Sequence, residues 1–386
     1  MGILTGPGQD PASVVDDAAS LRGAGYRSEP TQEPRQTGHR TPIDSRTGLQ
    51  CIMGSSGSRR LVGATALLMV AALGAACGSS STTASSMTTR PPSTTTPPAT
   101  TSSTPAPVGN HYCGTRHGPP DTTKVMVVYE ENTGASSIYG SPGAPNLNKY
   151  AADCGSAQNY QALTHPSLPN YMATTSGVSY ASSPWSGDCD PGGTCLTGND
   201  NIFHQVGASG WKAYAESMST NCQMQSADPY AAKHNPAAYY TDLGAQCSAN
   251  DVPMGTPASG ALHNDVVGGT LPKFSTLTPN LNDDMHNGSI QQADSWLAAW
   301  IAQIVAGPDY QSGHLTIAIV WDEGEGSGDT PSTVAMIVMS PSIVPGTRSS
   351  TYFTHYSLLK AAEDVAGAPE LAGARTANSL RTAFGF

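Results

Sequence analysis

Positive charge is scarce in this chain: 386 residues carry 18 Lys and Arg against 29 Asp and Glu, a formal charge of -11. That balance excludes a nucleic-acid backbone as the main partner, because affinity for a phosphate backbone depends on clustered Lys and Arg. A long apolar run is also missing. The longest, Leu61 to Ala76, is too short for a stable membrane span. No Cys-x-x-Cys pair occurs among the eight cysteines, which removes the usual sequence signature of a zinc site. Residues 1–57 lack any apolar run and are rich in Gly, Pro, Ser, Arg and Gln, so they bury too little surface to offset the entropy of ordering. They read as disordered, or as an over-extended start.

A different pattern begins at Ser58. Arg59 and Arg60 precede the apolar run, which ends in small residues and Cys77; a basic start, a short apolar centre and small residues before a cleavage point mark residues 58–77 as a signal peptide. Met53, just before the arginine pair, is then the expected true start. Leu73-Gly-Ala-Ala-Cys77 resembles a bacterial lipobox, with Gly74 where the motif has leucine. Two readings follow: lipidation at Cys77, which anchors the chain to the membrane surface, or an ordinary cut near Ala76 that releases it. Residues 78–108 are almost entirely Ser, Thr, Pro and Ala, the composition of an extended stalk.

The folded part is therefore expected over residues 109–386. It holds Cys113, Cys154, Cys189, Cys195, Cys222 and Cys247, an even number that in an exported chain implies three disulfides, with sequence neighbours the simplest partners. Val125 to Tyr129, Leu315 to Trp321 and Val334 to Met339 are continuous apolar runs of strand length, as in strands covered on both faces. Ala293 to Val305 places Trp296, Leu297, Trp300, Ile301 and Ile304 at helical spacing, tryptophans that read as core. Tyr356 to Val365 reads as another helix, with His355 just before it. Residues 178–200 and 248–270, rich in Gly, Ser, Asp and Asn, read as loops. Together these elements predict an α/β fold with a mostly parallel sheet and helices on both faces.

The first two strands end in acids: Glu131 with Asn132, and Asp322 with Glu323. In open α/β sheets ligands bind beyond the carboxyl ends of the strands, so both clusters are expected on one crevice, where carboxylates and Asn suit a divalent cation. Capping of a following helix, or plain solvation, is the alternative for each pair. Thr164-His-Pro-Ser-Leu-Pro-Asn-Tyr171 is more specific. Two prolines flank Ser167 ahead of a short helical pattern, which sets its hydroxyl at a helix N-terminus where backbone N–H groups favour an anion; a simple N-cap serine is the competing role.

These segments, with Lys233-His-Asn-Pro236, Thr278-Pro-Asn-Leu-Asn-Asp-Asp-Met-His286, Trp321-Asp-Glu-Gly324 and Thr354-His-Tyr-Ser-Leu-Leu359, resemble in identity and order the bacterial phosphoesterase family of acid phosphatases and phospholipases C. The resemblance covers nearly all of residues 124–370. It implies an alkaline phosphatase-like fold, a divalent metal ion and hydrolysis of a phosphate ester with Ser167 as nucleophile. It further implies Glu131, Asn132, Asp322 and Glu323 as metal ligands and Asn170 as a phosphate contact. Relatives often carry Asp-Asp where this chain has Asp322-Glu323. His234, His286 and His355 are implied to contact phosphate or protonate the leaving oxygen, with Asp284 orienting His286 or joining the metal. His165 is either a phosphate contact or a residue stabilising the turn. Acid phosphatase is the first expectation, phospholipase C the alternative within the same chemistry, and a non-catalytic envelope lipoprotein the alternative from another class.

Overall fold

The computed structural model describes residues 112–178, 184–325 and 332–386. The expected leader, Cys77 and the stalk lie outside them.

Among the described residues nine strands form one sheet: β1 (Lys124–Glu130), β2 (Gly155–Gln161), β3 (Trp211–Ala215), β4 (Asp251–Pro253), β5 (Phe274–Thr278), β6 (Leu315–Trp321), β7 (Thr333–Met339), β8 (Thr347–Ser349) and β9 (Phe353–Thr354). The order is β4-β3-β5-β1-β6-β7-β2-β8, with β9 also on β2. Every pairing is parallel except those of β7, which runs against both β6 and β2. Strand β7 therefore delivers Ser340, the residue after it, to the end of the sheet opposite the acidic clusters.

The helices are α1 (Ala135–Ile138), α2 (Pro145–Asp153), α3 (Ser167–Ser176), α4 (Ile202–Val206), α5 (Ala245–Asn250), α6 (Ala261–Gly268), α7 (Ile290–Ala306), α8 (Pro308–Gln311), α9 (His355–Ala366) and α10 (Leu380–Phe384). They pack as two groups, α2 with α6, α7 and α8, and α3 with α4, α9 and α10. All seven residues of β6 are buried, and six of the seven of β1, so helices cover both faces of the central strands. The predicted α/β fold is present.

Helix α7 shows how the sequence produces this packing. Leu297, Trp300, Ile301 and Ile304 fall at helical spacing and all are buried, while Ser289 caps the first turn by accepting from the Gln292 N–H. Trp300 is core as expected; Trp296, only partly buried, donates its indole N–H to Glu216.

The region 248–270 differs from its expectation as a loop. It contains the end of α5, the edge strand β4 and α6, whose buried Leu262 and Val266 lie one turn apart. Its polar composition is that of an edge strand and an exposed helix face, which the chain pattern alone does not separate from a loop. Disulfides join Cys113 to Cys154, Cys189 to Cys195 and Cys222 to Cys247, the neighbour pairing.

Candidate active site

Strands β1 and β6 are adjacent and parallel, with Glu130 beside Trp321, so Glu131 and Asp322 leave the sheet side by side. Both are buried, as are Glu323 and Asp284. Asn132 adopts a left-handed conformation with φ 50°, one that Asn tolerates better than most residues, and this turns its N–H onto Asp322 Oδ1 at 3.2 Å. The Glu323 N–H donates to the same oxygen at 2.6 Å. Asp284 joins from the loop after β5, its carbonyl accepting from the Glu131 N–H at 2.7 Å.

Ser167 is the first residue of α3, after the cis His165–Pro166 bond. Its hydroxyl donates to Glu131 Oε2 at 3.1 Å and lies 3.4 Å from Glu323 Oε1. His165 Nδ1 is 3.0 Å from the other Glu323 oxygen. His234 is buried, its ring stacked on Tyr171 with centroids 5.2 Å apart, Nε2 at 3.2 Å from Glu131 and Nδ1 at 3.5 Å from Asp284. Those distances suit ion pairing, yet neither nitrogen has hydrogen-bond geometry. His286 is exposed, its ring centroid 6.1 Å from that of His234 and its Nδ1 on Asn287; Asp284 Oδ1 accepts from the backbone N–H of His286, not from its ring.

Two expected phosphate contacts are placed differently. Asn170 is fully buried and faces the backbone of the nucleophile loop: its carbonyl oxygen accepts from the N–H groups of Leu163 and Thr164, at 3.0 and 3.3 Å. Its amide donates to the carbonyls of Thr164 and Pro166, at 2.8 and 3.4 Å. His355 is sealed behind the site with both ring nitrogens engaged, Nε2 with the Asp322 carbonyl at 2.7 Å and Nδ1 with the Tyr160 hydroxyl at 3.1 Å. These two residues shape the site and do not open onto it. The reason is topological: α9 begins where β9 ends, beneath the β6 carboxyl end, so its first side chain meets backbone rather than the crevice.

Burial, then the charges of Asp322 and Asp284, hold the Glu131 carboxyl well above the usual carboxylate range. Burial likewise raises Glu323, Asp322 and Asp284. It lowers His234 well below the usual histidine range and takes His355 down to about 4. Asp322 Oδ2, Asp284 Oδ2 and both His234 nitrogens are buried without a hydrogen-bond partner. Crowded carboxylates with unfilled lone pairs beside a neutral histidine form a donor set of the kind that takes a divalent cation, whose charge would offset their mutual repulsion. The residues present fit such an ion. Among the described residues, further groupings of candidate ligands lie elsewhere: Asp251 beside Cys222 and Cys247, whose sulfurs are tied in a disulfide, and the exposed Asp200, His204 and Asp242.

Sequence reasoning passed over Asp188, Lys233 and Tyr171 as site residues. The Tyr171 hydroxyl donates to Glu131 Oε1. Asp188 and Lys233 form an ion pair at 2.6 Å, and Asp188 also accepts from the N–H of Leu168, the residue after Ser167. The signal available for Lys233 is its place in the Lys233-His-Asn-Pro236 segment beside His234; Asp188 has no such signal.

Residues 124–369 match the Phosphoesterase family. A phosphatidylinositol-3-phosphatase of Mycobacterium tuberculosis is 29% identical over 276 residues, spanning 69% of this chain and 84% of that protein. A probable acid phosphatase of Kluyveromyces lactis is 27% identical, over 62% of this chain and 57% of that one, and an acid phosphatase of Aspergillus fumigatus 24% identical, over 55% and 48%. The chain thus spans about half the length of the latter two. Among solved structures, a protein in the alkaline phosphatase superfamily from Vibrio parahaemolyticus aligns over 70% of this chain and 74% of its own, at 10% identity and a TM-score of 0.44. With the family match running from the start of β1 to beyond the end of α9, the chain belongs to the Phosphoesterase family.

Proposed function

We propose that this chain is an exported, metal-dependent phosphoester hydrolase, an acid phosphatase that works through a phosphoserine at Ser167. The observation that carries the reading is the Ser167 hydroxyl, held at the N-terminus of α3 and directed at Glu131 among buried carboxylates. Family membership and the acid phosphatases among its relatives support it.

Glu131, Asn132, Asp322 and Glu323, with Asp284 and His234 beside them, are the residues that would hold the cation. When bound, a divalent ion there supplies positive charge that lowers the serine hydroxyl's pKa and neutralises phosphate oxygens. The protein's own groups do the rest. The Ser167 proton points toward Glu131, which leaves an oxygen lone pair free for phosphorus. As the Ser167 oxygen–phosphorus bond forms and the bond from phosphorus to the ester oxygen breaks, the serine proton passes to Glu131 Oε2, and the departing ester oxygen takes a proton from the exposed His286. Water then attacks phosphorus from the vacated side and gives a proton to His286, the phosphorus–Ser167 oxygen bond breaks, the serine oxygen takes its proton back from Glu131, and free phosphate leaves. Neutral His234, Tyr171 and His165 fix the carboxylates against which these steps occur. Asn170 and His355 hold the loop and the strand end in place.

We also infer export, with the signal segment 58–77, the stalk 78–108 and a lipid anchor at Cys77; the three disulfides of the folded part support an oxidising compartment. Among the described residues no helix is long and apolar enough to cross a membrane.

The test compares wild type with Ser167→Ala on p-nitrophenyl phosphate and on phosphatidylcholine, across added divalent metals. Monoester turnover that falls in the variant by a factor of about a thousand or more agrees with the reading. Lipid turnover alone points to a phospholipase C, and protein inert on both across metals points to a non-catalytic envelope protein.

A further inference from the structure

Helix α3 presents its N-terminal amides to the site, and one of them is already in use. The Leu168 N–H, from the residue that follows Ser167, donates to Asp188 Oδ1 at 2.9 Å. Asp188 Oδ2 accepts from Lys233 Nζ at 2.6 Å. A carboxylate thus holds a helix-terminal N–H with one oxygen and a lysine with the other, the pair of contacts that a phosphate would make with the same groups.

The segment that delivers Asp188 is stiffened at both sides. The Asp188 N–H donates to the Trp185 carbonyl, the Trp185 indole N–H donates to the Cys195 carbonyl, and Cys189 is joined to Cys195. Asp188 itself has φ 53°, left-handed. Its side chain retains 20% exposure and that of Lys233 21%, so both reach solvent at the rim while the carboxylates behind them do not. Lys233 is also felt deep in the site: burial raises Glu131, Glu323 and Asp284, and the charge of Lys233 opposes that rise in all three. Glu323 and His234, both within electrostatic reach of Asp188, have buried atoms without a hydrogen-bond partner: Glu323 Oε2 and both His234 nitrogens.

We propose that Lys233 is the side chain that binds the substrate's phosphate group and that Asp188 is a resident anion standing in its place, displaced when the phosphate arrives. The inference rests on the phosphatase reading for its substrate, and it adds a specificity device to it. In the resting state the lysine and the Leu168 amide are satisfied by Asp188. A phosphate group takes both over, and Asp188 swings to the rim, where water solvates it. Asp188 therefore sets a threshold: a ligand must offer an anion good enough to exchange for a carboxylate. Phosphate esters pass, and weaker acceptors do not.

The experiment titrates inorganic phosphate into the metal-loaded full chain by calorimetry, for wild type, Asp188→Asn, Lys233→Gln and the double variant. The Asn side chain keeps an oxygen for the Leu168 N–H and removes only the charge. Asp188→Asn is expected to bind phosphate about tenfold more tightly, and Lys233→Gln about tenfold or more weakly, the size of a lost charge-assisted hydrogen bond. The double variant should match Lys233→Gln, because the resident anion competes through the lysine. Unchanged or weakened binding in Asp188→Asn overturns the inference, as does an absence of phosphate binding in every protein; Asp188→Ser gives the same reading should the first variant not fold. Turnover of p-nitrophenyl phosphate by wild type is followed in parallel. Inactive wild type sinks the phosphatase reading, whereas active wild type with a flat phosphate series sinks this inference alone.

Discussion

Asn170→Ala separates a side chain that touches substrate from one that holds the loop. In the structure its amide makes two short hydrogen bonds, at 2.8 and 3.0 Å, and two longer ones at 3.3 and 3.4 Å, all to the backbone between Leu163 and Pro166. The residue is wholly buried, so water does not replace what the substitution removes. Two good bonds at about 1 kcal/mol each, plus the cost of stranding buried backbone groups, give about 3 kcal/mol of lost stability. For a domain of this size that is a fall in Tm of about 6–12 °C. The released loop also carries His165 and Ser167, so kcat should fall while the inhibition constant for inorganic phosphate stays within about threefold of wild type, the pattern of a positioning residue. Differential scanning fluorimetry and competitive inhibition by phosphate provide the two readouts. A variant that melts with wild type yet binds phosphate more than about tenfold less tightly would refute the reasoning and restore the direct phosphate contact.

Chelation should abolish turnover and lower the Tm, since an ion bound to the folded state alone stabilises it. The four site carboxyls all have raised pKa values, so in chelated protein they take up protons as the pH falls and their repulsion fades; the Tm lost to the chelator should shrink from mildly alkaline to mildly acidic buffer, and a loss equal at both would count against a cation among them. Asp251 gives a pH dependence away from that cluster. Burial, opposed by donation from Asn235, takes its carboxyl up to about 7. The folded state therefore holds a proton that the unfolded chain has released once the pH exceeds its ordinary value, so this group's contribution to stability is greatest in acid and declines as pH rises through about 4 to 7, then levels off. Asp251→Asn should flatten this segment of a urea-midpoint profile by about one proton's worth, and a profile parallel to wild type would contradict the shift.

The sequence carries the centre of this molecule better than its margins. Strands β1, β6 and β7 are readable because strands covered on both faces are unbroken apolar runs. Strand β2, Gly-Ser-Ala-Gln-Asn-Tyr-Gln, is not readable: it lies toward the edge, bordered by the short β8 and β9, where polar residues and a register shift between Ala157 and Tyr160 are tolerated. The acids at the ends of β1 and β6, Ser167 and His234 converge as motif order implies. What spacing does not carry is the direction a side chain faces. Asn170 and His355 sit in the right segments and turn toward backbone. Asp188 lies in a segment rich in Gly and Ser, and only the folded chain brings it to Ser167's neighbour Leu168.

The register between β1 and β6 also limits how this chain can vary. Glu130 and Glu131 are consecutive, and because side chains alternate across a strand, Glu131 enters the crevice while Glu130 is buried with both carboxylate oxygens unpaired. Sliding β1 by one residue would exchange the two acids and turn every apolar residue of the strand to the opposite layer. Insertions and deletions are therefore barred from β1 and β6 and are admissible only in the connections. The rim at Asp188 and the exposed His286 can then be rebuilt without shifting the backbone that carries the inner acids.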